Sequence, residues 1–208
     1  MNTNVSAVDD RRYLVVDSPY EVARWRPLVN WVLYIPHGII LYALQILARA
    51  VFVVYWVMFL FTGKLHPGMY GMMAMYERYN ARAGGFLLGW SEAYPPFDFD
   101  TSTGMTDGSG DKGAYPPVRL SLPAVRETAP RGAALNVLKA IPLYFVMMVY
   151  GFAAAVVAIA AWFAVLFTGT WPVGMRTFLI RVNNYWFGVW TYVTMVADRY
   201  PSFALPPA

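Results

Sequence analysis

Apolar residues arrive in this chain as two long runs. Residues 38–61 and 143–167 are almost wholly apolar, and only Gln45 and Arg49 break the first. Each run holds ~24 residues, enough at ~1.5 Å per helical residue to cross a hydrocarbon core of ~30 Å. Pro36 and Pro142 stand near the first turns, where a missing N–H costs least, and Gly63 and Gly169 follow the far ends as caps do. After each run the pattern changes. Met69, Met72, Met73, Tyr76, Tyr79, Phe86, Leu87 and Trp90 recur at helical spacing, with Glu77, Arg78, Arg82, Gly85 and Gly89 on the opposite face. In the corresponding later segment, Arg181, Asn184, Gly188 and Thr191 take that face. Such a helix either crosses the membrane with its polar and small face turned into a bundle, or lies in the interface with its charges in water.

The two halves are copies. A shift of 106 positions sets Thr62, Gly63, Gly68 and Met69 on Thr168, Gly169, Gly174 and Met175 without a gap. Asn30, Ile35 and Pro36 then meet Asn136, Ile141 and Pro142, Trp56 meets Trp162, and Tyr79 meets Tyr185. Tyr94, Pro95 and Phe97 meet Tyr200, Pro201 and Phe203. One register held this long identifies a tandem duplication. Each copy carries an aliphatic-Ile-Pro start, "LFTG", and a terminal "YPPF" or "YPSF". By these motifs the chain resembles the bacterial membrane family called domain of unknown function 4389, over both copies. The resemblance implies an integral membrane fold, with no activity attached. Copy two has Leu143 opposite His37, so the resemblance makes no ligand of that histidine.

Charge orders these segments across a bilayer. With four spans, the N-terminal segment, the central linker and the C-terminus share a side holding Arg11, Arg12, Arg24, Arg26, Lys112, Arg119, Arg126, Arg131, Lys139 and Arg199. The positive-inside rule places that side, and both termini, in the cytoplasm; two spans would put the basic linker outside. The expected fold is therefore an all-α integral membrane protein of the bacterial inner membrane, with four transmembrane helices in two tandem hairpin repeats pointing the same way. Unit 1 covers residues 1–97, with spans near 38–62 and 69–92. A flexible Gly/Ser/Thr/Asp-rich linker covers 98–114, and unit 2 covers 115–208, with spans near 143–168 and 175–197. Short juxtamembrane segments precede each unit. "SPYE" at 18–21 suits a capped helix start, residues 118–122 alternate as a strand does, and Trp25 and Trp31 suit the headgroup level.

Composition agrees with a membrane setting: 58% of residues are hydrophobic and 13% charged, against about 25% charged in a soluble domain. The net charge of +4 is spread out, without the basic run of a nucleic-acid surface. No cysteine is present, which excludes disulfides, iron–sulfur clusters and thiol nucleophiles. The polar first residues lack the apolar core of a signal peptide, so no cleavage is expected.

Few residues are placed for chemistry. Arg49 falls midway along the first apolar run, one turn from Gln45, where a cation costs at least ~2.5–3.5 kcal/mol. Copy two has Ala155 there. Arg49 either pairs with Glu77 or contacts a lipid headgroup, a quinone-like ligand or a partner. Glu77 and Arg78 make an ion pair or part of an ion path, and copy two replaces them with Asn183 and Asn184. The candidate intramembrane polar or ligand contacts are thus Gln45, Arg49, Glu77, Arg78 and Asn80. His37 and His66 lie near opposite ends of the first helix, too far apart for one haem iron. Asp98, Asp100, Asp107 and Asp111 lack calcium-loop spacing, no nucleophile elbow or phosphate loop occurs, and Gly85 and Gly89 suit helix packing. No catalytic or metal residue is assigned, and the cofactor is unknown. The expected role is a non-catalytic accessory or scaffold subunit of a larger inner-membrane assembly, contacting lipids and other integral membrane subunits and no nucleic acid. The alternative is a small transporter or lipid-handling protein.

Overall fold

The first apolar run begins a dozen residues earlier than its hydropathy suggests. In the computed structural model, which describes residues 13–101 and 115–207, helix α1 spans Arg26–Thr62 with Pro36 inside it. Helix α2 follows at Pro67–Leu87. Copy two has the short α3 (Asn136–Lys139), preceded by a 3-10 turn at Arg131–Leu135, then α4 (Ile141–Thr168) and α5 (Val173–Val193). Strands β1 (Leu14–Val16) and β2 (Val118–Leu120) pair antiparallel, Val15 opposite Arg119. The polar N-terminal stretch and most of the expected linker, Asp107 and Asp111 included, fall outside the described residues.

The repeated motifs now have physical reasons. In "LFTG" the threonine hydroxyl bonds back one turn, Thr62 to the Met58 carbonyl and Thr168 to that of Ala164, both at 2.7 Å. The glycine then takes a left-handed φ, 67° at Gly63 and 74° at Gly169, and its N–H closes the last turn. The terminal "YPPF" and "YPSF" fold back on the first helix of their own copy: Tyr94 donates to the Leu33 carbonyl and Tyr200 to that of Lys139. Asn30 and Asn136, both buried, donate to the carbonyls of Phe86 and Tyr192 in the last turn of the second helix.

The copies do not point the same way. Glu21, just before α1, bridges Thr170, just after α4, while Lys64, just after α1, bridges Thr128 ahead of α4. Trp56, late in α1, donates to the Ala134 carbonyl, and Trp162, late in α4, donates to that of Pro27. The end of each long helix therefore meets the beginning of the other, and the two run in opposite directions. The segments before the helices are exchanged: residues 13–25 lie along α5 of copy two, and residues 115–130 lie along α2 of copy one. This corrects the expectation of parallel repeats. A residue pattern identifies a duplication but carries no information on the rotation relating its copies.

Three layers result. α1 and α4 form one, α2 and α5 the next, and the sheet rests on the second layer, β2 against α2 and β1 against α5. Leu14, Val118 and Leu120 point inward and are buried. Gly85, expected as a helix-packing notch, instead seats β2: a Cβ there would lie 2.8 Å from Val118. Among the described residues, only α1 and α4 are long and apolar enough to cross a membrane, and only 11% of each apolar window is buried. α2 and α5 do not qualify, and their polar groups are enclosed by neighbouring layers. "SPYE" forms no helix start; Ser18 and Pro19 instead accept hydrogen bonds from the guanidinium of Arg176. The expected strand at 118–122 is present as β2.

Candidate functional site

Helical spacing sets Gln45 and Arg49 one turn apart on α1, and Tyr76, Glu77 and Asn80 on the facing side of α2. With Tyr144 of α4 and Trp186 and Trp190 of α5 they line one cavity of about 570 Å³. Four of the five residues singled out in the sequence thus converge. The fifth does not line it: Arg78 donates to the Asp100 carbonyl at 2.9 Å, in the segment that follows α2. Next to it Arg82 holds the Asp98 carboxylate at 2.9 Å, so the beginning of the expected linker is tied down.

Glu77 dominates the electrostatics of the cavity. It is 4% exposed, and its Oε2 has no hydrogen-bond partner. Burial pushes its carboxyl up to about 7, against a hydrogen bond with Trp186 that favours the ionised form. Arg49, itself exposed, makes no ion pair with it among the described residues. An acid free to hold or release a proton near neutrality, an unpaired cation and two amides, set among aromatic rings, make a receptive surface for a polar headgroup on an apolar body. They do not make a nucleophile with its base, and among the described residues no three His, Asp or Glu side chains could hold a metal ion.

The histidines have structural surroundings. His37 is fully buried, shares a 2.6 Å hydrogen bond with the Tyr79 hydroxyl, and stacks on Phe97 at 4.5 Å. His66 caps α2, its Nδ1 accepting from the Met69 N–H. In copy two Leu143 replaces His37, and the hydroxyl of the matching Tyr185 is left buried without a partner. A second cavity, of about 670 Å³, is the seam where residues 17–23 meet residues 90–93 and the loop after α4. There Glu92 accepts the Ala23 N–H at 2.7 Å and faces Arg26 at 4.0 Å, so its polar groups clasp the exchanged segment.

Each copy's helices and closing motif coincide with a family match: domain of unknown function 4389 covers residues 24–98 and again 132–204. The chain belongs to this family, in two tandem copies. No curated protein and no solved structure matches it. The exchanged segments lie largely outside the two family regions, whereas the cavity is built wholly within them. Two roles escaped the sequence reading. Arg176, 1% exposed, stands where copy one has Tyr70, and the two make equivalent contacts: Arg176 donates to the Pro19 carbonyl and Tyr70 to that of Pro123. Asn184 acts as an extra strand rung, accepting the Leu14 N–H at 2.7 Å. The signal for Arg176 was present in the repeat alignment, as a cation facing a tyrosine at a matched position.

Proposed function

We propose that this protein is a non-catalytic accessory or scaffold component of a larger assembly at the bacterial inner membrane, with both termini on the cytoplasmic side. The observation that carries the reading is the α1/α4 layer, of whose apolar windows only 11% is buried in the isolated chain. Large apolar faces of this kind are buried by lipid or by neighbouring apolar helices. The outer face of the sheet, where Val15 and Arg119 are exposed, leaves the protein a second surface for other subunits. Purification in mild detergent, followed by mass analysis of the intact particle, tests this. A partner held at fixed stoichiometry is the expected result, and a solitary chain without one contradicts it.

A second reading, handling of a lipid or similar amphiphile, is favoured by the convergence of Gln45, Arg49, Glu77 and Asn80 on the cavity. Copy two offers Gly151, Ala155, Asn183 and Trp186 at those positions, so these four polar groups come from copy one, while Tyr144, Trp186 and Trp190 of copy two complete the wall. Co-purified lipid lost on Arg49→Ala supports this reading, and unchanged lipid content opposes it.

A further inference from the structure

We propose that α1 and α4 lie flat within a single lipid leaflet, their axes in the plane of the membrane, and that neither crosses it. This rests on the reading of the protein as a membrane protein, and goes beyond it in fixing how the chain meets the bilayer. α1 and α4 run in opposite directions. Each exchanged segment starts at the sheet and runs to one end of the helix layer, residues 17–21 to the loop after α4 and residues 121–127 to the loop after α1. The Val15–Arg119 pair at the centre of the sheet therefore sits midway between the two ends.

If the helices stood upright, that midpoint would lie at the bilayer centre. The ion pair of Arg119 with Asp17, whose side chains are 45% and 78% exposed, would then face acyl chains, beside extended backbone that hydrocarbon does not tolerate. Laid flat, the molecule places the sheet in water, and both copies meet the lipid in the same way. Length agrees. The 37 residues of α1 and 28 of α4 correspond to ~55 and ~42 Å of helix, well beyond a ~30 Å core, and a flat helix has no such limit.

The chemistry of the face fits a lipid surface. Ile39, Phe61, Phe145, Phe152, Ile159 and Phe167 are each more than three-fifths exposed. α1 contains no acidic residue and α4 no charged residue at all. Exposed Arg24 stands beside the start of α1, and exposed Lys64, Arg131 and Lys139 gather at the other end, where anionic headgroups would meet them. Trp25 and Trp31, 53% and 57% exposed, suit the same level.

The natural chain has no cysteine, so single labels are simple to place. Phe145→Cys, Phe152→Cys, Ile159→Cys and Phe167→Cys variants, spin-labelled and reconstituted in phosphatidylcholine–phosphatidylglycerol vesicles, report depth through oxygen and aqueous-nickel accessibility. The proposal expects all four at one shallow depth, ~5–10 Å below the headgroups, and an Arg119→Cys label open to water. A depth that peaks at Phe152 and Ile159 and falls away at both ends means a crossing helix and overturns it. So do labels shielded from both oxygen and nickel, which mean a second copy covers the face. Flotation of the same samples separates the two levels: a chain that does not float with vesicles ends the membrane reading itself, whereas one that floats with a peaked profile ends only the flat orientation.

Discussion

Copy one and copy two share much of their scaffold and differ in the polar groups they supply to the cavity between them. The Asn30 and Asn136 contacts, the paired glycine caps and the tyrosines that fold back on the first helix recur at matched positions. The polar groups of the cavity do not: Gln45, Arg49, Glu77 and Asn80 stand opposite Gly151, Ala155, Asn183 and Trp186. Residues common to both copies hold the fold, and residues peculiar to one mark where a task has been added or a constraint released. The same comparison explains a strained position, since Met195 takes φ 64° where copy one has Gly89 at 74°, and its side chain is buried.

Substitutions at matched positions sharpen this contrast, and the largest effect is expected at Arg176. Its guanidinium makes three hydrogen bonds to Ser18 and Pro19, so Arg176→Ala removes charge-assisted bonds and should cost about 4 kcal/mol. At the equivalent Tyr70, Tyr70→Phe removes one neutral bond and should cost about 1 kcal/mol. Thermal unfolding in detergent measures both, and equal losses would show that the two contacts are not counterparts.

Glu77 comes next, through pH. Its folded value of about 7 lies above that of an unfolded glutamate, so the folded state binds the proton more tightly. Stability from this group is complete below about pH 4.5 and is lost as pH rises to about 7, a change of about 3 kcal/mol. Glu77→Gln should abolish that slope, leaving the variant near parity with the parent at pH 4.5 and more stable at pH 8. Parallel pH profiles for the two proteins would contradict the assignment.

At the matched tyrosines of the second helices, the effects should have opposite signs. Tyr79→Phe strips His37 of its hydroxyl partner and should destabilise by about 1–2 kcal/mol. Tyr185→Phe removes a buried hydroxyl that has no partner and should be neutral or stabilising by up to about 1 kcal/mol. Destabilisation by Tyr185→Phe would mean that its hydroxyl is satisfied after all.

Much of this molecule was legible in its residues. The two apolar helices, the glycine caps, strand β2 and the duplication follow from hydropathy, spacing and register, because these report local conformation and burial. Four of the five candidate site residues converge, since residues one helical turn apart on facing helices are brought together by any hairpin. Arg78 turns to the Asp100 carbonyl outside the cavity, and spacing cannot tell which neighbour a flexible guanidinium will choose. The exchange of the leading segments was not legible. It depends on contacts between distant segments, such as Leu65 with Glu127 and Val22 with Gly169, and a repeat reads the same whether its copies run parallel or opposed. "SPYE" failed as a helix start because the buried Arg176 of the other copy claims its Ser18 and Pro19 oxygens.

The opposed arrangement of the copies underlies the rest, and paired cysteines test it most directly. Lys64 and Thr128 face each other across an antiparallel bridge, where Cα atoms lie ~4.5–5.5 Å apart, within disulfide reach. Lys64→Cys with Thr128→Cys should therefore cross-link readily under mild oxidation, while Lys64→Cys with Thr170→Cys, at opposite ends of the helix layer, should not. Cross-linking of the 64–170 pair in place of the 64–128 pair would mean that the copies run parallel, and would contradict the account.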